Sequence, residues 1–176
     1  VALIFLRHTT PRVGAGVCYG RTDLALADSF HEEAEKIAAE TPPVTSIVSS
    51  PLSRCRRLAE LLSDQKGLSV RVDPRLIEMD FGAWEGRLWS EIPKEELDAW
   101  ANDFLHARPH GGESVSMLRD RVRDAICEFL SYNETILIIT HAGVIKAAFA
   151  DGDEPEHFET TAGFGCSVTL SPERET

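Results

Sequence analysis

Two histidines stand at matching points of the sequence: the apolar run ALIFL leads into Arg7-His8-Thr9, and TILII leads into Thr140-His141-Ala142-Gly143. In open α/β sheets ligands bind beyond the carboxyl ends of the strands, so both imidazoles belong at the rim where a site forms and can face one ligand. A lone histidine at a strand end commonly has a structural use, but a matched pair, one preceded by arginine, points to a shared site. A third group comes from SSPLSRCRRLAELL. On a wheel of ~100° per residue, Arg54 falls between Leu58 and Leu61, inside the apolar arc that also takes Leu62, whereas Arg56 and Arg57 fall outside it. Arg54 therefore points inward. A buried guanidinium is costly without an anion, which is either an internal Asp or Glu or a bound group near the positive end of the helix dipole; the position one turn into a helix favours phosphate. The fourth group is a carboxyl in RLIEMDFGAWEG. Beside Met79, Phe81 and Trp84 the Glu78 carboxyl has its pKa raised, which suits a group that gives a proton to a leaving oxygen near neutral pH. Asp80 and Glu85 compete for that part, and composition alone does not separate the three.

Elements must bring these groups together. Short β-branched apolar runs (ALIFL, VTSIV, LSVRV, TILIIT, CSVTL) alternate with helix-period segments at Asp28 to Glu40, Leu52 to Ser63, Val115 to Leu130 and Val144 to Ala150. Strands that are apolar throughout, interleaved with helices, predict a three-layer α/β/α fold with a mostly parallel central sheet. Ser29 with Glu32 fits a capping box, Ser50 fits a cap followed by Pro51 at the first helical position, and Pro155 fits that second role near DGDEPEHFE. Thr9 to Ala27 and Asp73 to Leu88 are long irregular stretches, and loops of that length are functional or disordered. Their Tyr19, Arg21, Glu78, Trp84 and Glu85 favour function. The length of 176 residues suits one domain, 1–176, ending in a polar tail from 171.

Composition narrows the partners. A net charge of −11 argues against nucleic acid or a membrane surface, either of which needs a sizeable basic face. No apolar run approaches the ~18 residues of a membrane span, and Ala2 to Leu6 lacks the charged front of a signal peptide. Cys18, Cys55, Cys127 and Cys166 are scattered with no CxxC pair, which points to reduced thiols in a cytoplasmic protein. His106 and His110 have the spacing of a helical metal pair, but Pro109 between them breaks such a helix, so a surface loop is expected. His31 and His157 sit among glutamates and take no role. Cys18 reads as a small packed residue. Met79, Trp84 and Trp89 read as packing, with Trp84 also a candidate pocket wall.

Taken together, Arg7-His8, Ser49-Ser50-Pro51-Leu52-Ser53-Arg54, Glu78 ahead of Phe81-Gly82-Ala83-Trp84-Glu85-Gly86, Gly112-Glu113-Ser114 and Thr140-His141-Ala142-Gly143 resemble, in order and spacing, the histidine phosphatase superfamily, which includes phosphoglycerate mutases. The resemblance implies a phosphoglycerate mutase-like fold. It also implies phosphoryl transfer, with His8 as the nucleophile that forms a phosphohistidine and with Arg7, Arg54 and His141 holding the phosphoryl oxygens. Glu78 would protonate the departing alcohol and later activate water. Two arginines and a histidine supply the positive charge that Mg²⁺ supplies elsewhere, so neither metal nor cofactor is expected. His8 must then be neutral, its other ring nitrogen donating to a main-chain carbonyl, while His141 works as a donor.

Thr9 stands where many members have glycine. With Thr10-Pro11 and the Cys18-Tyr19-Gly20-Arg21-Thr22-Asp23 loop, this start resembles the branch of alpha-ribazole phosphatases. That likeness implies a small phosphomonoester such as alpha-ribazole 5′-phosphate, a precursor in cobalamin assembly, and substrate contacts from Thr9, Tyr19, Gly20, Arg21 and Ala142. One alternative is a mutase using the same phosphohistidine; resembling mutases carry a longer insertion between the Glu78 and His141 equivalents to keep water out, and this chain is short there. Another is a non-catalytic phosphate-binding module, against which the presence of all five site residues counts.

Overall fold

The computed structural model describes residues 1–171; most of the expected polar tail, 172–176, lies outside them. Five strands, β1 (Ala2–Arg7), β2 (Ser46–Ser49), β3 (Val70–Val72), β4 (Thr135–Thr140) and β5 (Ser167–Leu170), form one sheet in the order β3-β2-β4-β1-β5. The first four run parallel, and β5 pairs antiparallel with β1. The helices are α1 (Phe30–Glu40), α2 (Ser53–Lys66), α3 (Lys94–Asn102), α4 (Val115–Ser131) and α5 (Ala142–Phe149). The sheet is the expected layered α/β arrangement, and it explains why the strand sequences do not alternate. Successive side chains point to opposite faces, and both faces are covered. On one face Leu3, Phe5, Ile136 and Ile138 pack with Val122 and Phe129 of α4 and Val144 of α5. On the other, Ile4, Leu6, Leu137 and Ile139 pack with Phe30 and Ala34 of α1 and Leu58 and Leu62 of α2. Each such side chain contributes roughly 1.5–3 kcal/mol when fully buried.

The topology also sets the site. β1 and β4 are neighbours with Arg7 opposite Thr140, so His8 and His141 each leave the sheet one residue past the last pair. The helix after β1 packs on one face and the helix after β4 on the other, which opens a crevice between the two strand ends.

Several local expectations are corrected. Ser29 precedes α1, but its hydroxyl donates to the Glu33 carboxylate at 2.7 Å and no box forms with Glu32. α2 begins at Ser53 rather than Pro51: Leu52, in an extended conformation, takes the cap position, and Ser50 Oγ accepts from Leu52 N at 3.4 Å while lying 2.7 Å from His141 Nε2. β3 keeps only Val70–Val72 of LSVRV and is a largely exposed edge. His110 is not on a surface loop: it is buried, its Nδ1 accepts from Gly112 N at 2.9 Å, and the Trp84 ring closes over it at 4.9 Å. α3 is not foreseen by hydrophobic periodicity, although Pro93 ahead of it and Glu95 and Glu96 in its first turn are helix-start signals. Pro155 does open a short 3₁₀ turn, Pro155–Phe158, and Ser114 caps α4 by accepting from Met117 N. No helix among the described residues is long and apolar enough to cross a membrane.

Candidate active site

His8 is buried at the end of β1, with Nδ1 2.7 Å from the Thr9 carbonyl oxygen. A carbonyl only accepts, so Nδ1 carries the proton and Nε2 keeps its lone pair. Burial lowers the His8 pKa to about 3; Arg54 and Arg7 push in the same direction, against the raising effect of the Thr9 bond. The ring is therefore neutral at ordinary pH. His141 lies beside it, the ring centroids 5.2 Å apart and the planes inclined at 60°. Its Nε2 is 2.7 Å from Ser50 Oγ and 3.5 Å from Cys55 Sγ. Burial first, then the neighbouring His8 and Arg54, hold its pKa well below the usual range. A neutral imidazole still offers one N–H.

Two guanidiniums flank the imidazoles. Arg54, 0% exposed, gives Nη1 to Thr22 O at 2.8 Å and Nη2 to Gly20 O at 2.6 Å. Arg7 gives Nη1 to Ala162 O at 3.0 Å. Neither is ion-paired with a carboxylate among the described residues. Arg7 Nε, Arg54 Nε and Thr9 Oγ1 are all buried without a partner. Of the two anions that could compensate Arg54, the internal carboxylate is thus absent. Buried donors of this kind cost about 1–3 kcal/mol each unless an acceptor reaches them, and a multi-oxygen anion is a group that could supply such acceptors.

Glu78 closes the cup. Its Oε1 accepts from Met79 N at 2.9 Å and its Oε2 from Gly143 N, in the first turn of α5, at 3.0 Å. Burial raises its pKa, outweighing those two bonds and the nearby Arg54 and Arg121. Glycine at position 143 allows this approach, since a Cβ there would meet the carboxylate and displace it. The competing acids are otherwise employed. Glu85 Oε1 accepts from Gly20 N, Thr22 N and Thr22 Oγ1, and its Oε2 accepts from Phe81 N and Arg21 N. Burial pushes Glu85 up, but these bonds prevail and hold it below the usual carboxylate range. Asp80 Oδ1 accepts from Gly82 N at 2.8 Å. The Gly112-Glu113-Ser114 segment supports the Glu78 loop from behind: Glu113 N donates to Asp80 O, and Arg121 links the Glu113 carboxylate to Arg75 O and Glu78 O.

The remaining sequence candidates divide. Thr9 is fully buried in the cup, and Ala142 lines a cavity beside it. Tyr19 lies against Arg54, whose guanidinium carbon is 5.4 Å from the ring centroid. Gly20 has both main-chain groups engaged, by Glu85 and Arg54, so it supports the cup rather than facing a ligand. The Arg21 side chain is exposed, and only its backbone N–H is tied to the loop. Cys18 is packed with Trp84 and Ile92, as expected, and burial raises its thiol to about 12. Among the described residues no cluster of three or more His, Cys, Asp or Glu side chains is placed to hold a metal ion.

Next to Glu78 lies a cavity of about 440 Å³, walled by Phe81, Trp89, Trp100, Phe104 and Phe158, with Lys146 among its lining. It corrects the tryptophan assignment: Trp84 is fully buried beneath the wall, while Trp89, read as packing, faces the cavity. No motif in the sequence singles out Trp100 and Phe104, which belong to α3 and the segment after it. Phe164 escapes too, although it lies 5.6 Å from the His8 ring; its turn carries no motif.

The sequence profile of the histidine phosphatase superfamily (branch 1) matches residues 3–171. The chain belongs to the histidine phosphatase superfamily. Every residue of the cup falls inside that match. Among members of the superfamily, a probable phosphoglycerate mutase GpmB from Erwinia tasmaniensis is 32% identical over 130 residues, 69% of this chain and 60% of that protein. The adenosylcobalamin/alpha-ribazole phosphatase of Escherichia coli K12 is 34% identical over 110 residues, 59% of this chain and 54% of that protein. The chain thus spans under two thirds of the length of these curated relatives. The crystal structure of the alpha-ribazole phosphatase from Shigella flexneri superimposes with a TM-score of 0.84 at 26% identity, covering 97% of this chain and 90% of that one.

Proposed function

We propose that this superfamily member is a phosphomonoesterase that passes a phosphoryl group from an organic phosphate to His8 and then to water. One observation carries the reading: Arg7 Nε, Arg54 Nε and Thr9 Oγ1 are buried without acceptors around a neutral imidazole. A phosphate monoester dianion supplies the missing acceptors. The Nε2 lone pair of His8 attacks phosphorus in line, the ester P–O bond breaks, and its electron pair departs on the alcohol oxygen. Glu78, whose pKa burial raises, gives that oxygen its proton. The resulting carboxylate then takes a proton from water, the hydroxide attacks phosphorus, and the N–P bond breaks to return the pair to Nε2. Arg7, Arg54 and His141 hold the equatorial oxygens, where charge accumulates in the transition state.

The substrate we favour is alpha-ribazole 5′-phosphate or a similar phosphate of an aromatic-bearing alcohol. In its support, the cavity beside Glu78 has aromatic walls suited to a planar base, and the chain is similar in sequence and structure to alpha-ribazole phosphatases. A panel of phosphomonoesters assayed with EDTA present tests chemistry, specificity and metal-independence together. Phosphate release from alpha-ribazole 5′-phosphate well above that from glycerol phosphate is the expected result. The likeness to a probable phosphoglycerate mutase keeps a second reading in play. Conversion of 3-phosphoglycerate to 2-phosphoglycerate faster than release of phosphate would establish it. No phosphate from p-nitrophenyl phosphate between mildly acidic and neutral pH would reduce the protein to a binding module.

A further inference from the structure

The turn from Ala162 to Cys166 wraps the Arg7-His8 pair. Arg7 N donates to Cys166 O at 3.0 Å, Gly165 N donates to the carbonyls of both Arg7 and His8 at 3.1 Å, and Arg7 Nη1 reaches Ala162 O at 3.0 Å. A φ of 71° at Gly165 turns the backbone into this position. At the tip stands Phe164, 37% exposed. Its ring centroid is 4.0 Å from the Arg7 guanidinium carbon and 5.6 Å from the centroid of His8. An apolar ring left this open to water is not accounted for by core packing, whereas the guanidinium beneath it gives it a partner.

We propose that Phe164 is a positioning residue for phosphate binding, which holds the Arg7 guanidinium against its face so that the partnerless Arg7 Nε is presented to the anion. This rests on the reading of Arg7 as a phosphate holder. A cation on an aromatic face is attracted by the ring quadrupole, and a guanidinium stacked in this way keeps its in-plane N–H donors for another ligand. The ring also covers one side of His8, so its removal admits water to both groups. Leucine fills much of the same space without the quadrupole, and tyrosine keeps the ring.

The test is calorimetric titration of wild type, Phe164→Leu and Phe164→Tyr with inorganic phosphate, alongside kcat/KM for p-nitrophenyl phosphate and for an alkyl phosphate. Phe164→Leu should weaken phosphate binding roughly 3- to 30-fold. It should lower kcat/KM by a common factor for both esters, because the ring acts on the phosphoryl side, and Phe164→Tyr should restore both. Because the position is partly exposed, the leucine variant should keep its thermal midpoint near that of wild type. Wild-type phosphate affinity in Phe164→Leu overturns the proposal, as does a loss confined to one ester, which would make Phe164 a leaving-group wall. If wild type itself binds no phosphate, the cup reading fails and takes this inference with it; if wild type binds and the leucine variant matches it, only the role of Phe164 is lost.

Discussion

At His8 a bond of 2.7 Å from Nδ1–H to the Thr9 carbonyl fixes the tautomer, and burial keeps the ring uncharged, so under the proposed mechanism Nε2 has its lone pair free for attack without help from a separate base. His8→Ala should reduce phosphate release from p-nitrophenyl phosphate by at least about a thousandfold, and the acid-labile phosphoprotein trapped from wild type should vanish. Glu78→Gln should slow alkyl phosphates by roughly 10²–10⁴-fold and p-nitrophenyl phosphate far less, since only poor leaving groups need the proton. Equal slowing of both would count against Glu78 as the acid. The buried rings also set a pH dependence of stability. His8 titrates near pH 6.5 when unfolded but near 3 when folded, so between those values the unfolded chain binds the extra proton and stability falls as pH falls. Urea unfolding of wild type at pH 6.5 and at pH 5 should differ by about 1.6 kcal/mol on account of His8, a contribution absent from His8→Gln. His141 adds in the same sense, and Glu78, whose folded pKa is raised, acts in the opposite sense. Only the family resemblance separated Glu78 from Asp80 and Glu85, whereas Arg54 was legible in the sequence because it falls inside the apolar arc of its helix, and His8 and His141 because they follow two matching apolar strands. Phe164 was not, since a phenylalanine near a turn has no local oddity and its meaning lies in a contact with residues from the other end of the chain.

At the scale of elements, the long Thr9 to Ala27 loop is held to the Phe81–Leu88 region by Glu85, by a bridge between Val17 and Leu88, and by Cys18 N donating to Arg87 O. Arg54 in turn hangs from Gly20 O and Thr22 O of that loop. Glu85→Gln removes the charge and leaves several backbone N–H groups sharing one neutral carbonyl. It should cost about 1–3 kcal/mol in urea unfolding and raise KM for every ester, with the ratio of rates for good and poor leaving groups unchanged. A change in that ratio instead would assign Glu85 the proton transfer. The sheet and α4 were legible because periodicity reports burial directly. Two helix starts were not, because a cap residue has competing partners: Ser29 donates to Glu33, and Ser50 also meets His141, with Leu52 at the cap of α2. α3 was not foreseen although its apolar periodicity is comparable to that of α2; it buries no residue fully, yet it supplies Trp100 to the cavity wall.

For the molecule as a whole, a net charge of −11 surrounds a small cup built from Arg7 and Arg54, so the proposed anionic substrate would have to be recognised locally against an unfavourable overall field. Filling the cup should stabilise the entire fold, because the unfolded chain has no such site. Inorganic phosphate at 100 times its Kd should add about 2.7 kcal/mol and raise the thermal midpoint, and Arg54→Ala should abolish the rise. An unchanged wild-type midpoint at saturating phosphate would mean that the partnerless donors are not an anion receptor. The order of the strands has one more effect. β1 bonds only to β4 and β5, both from the last stretch of the described chain, whereas β2 and β3 can pair as soon as they are made. On the ribosome β1 therefore emerges before the other described strands and waits longest for its partners, so the pairing that sets His8 beside His141 is among the last this part of the chain can form.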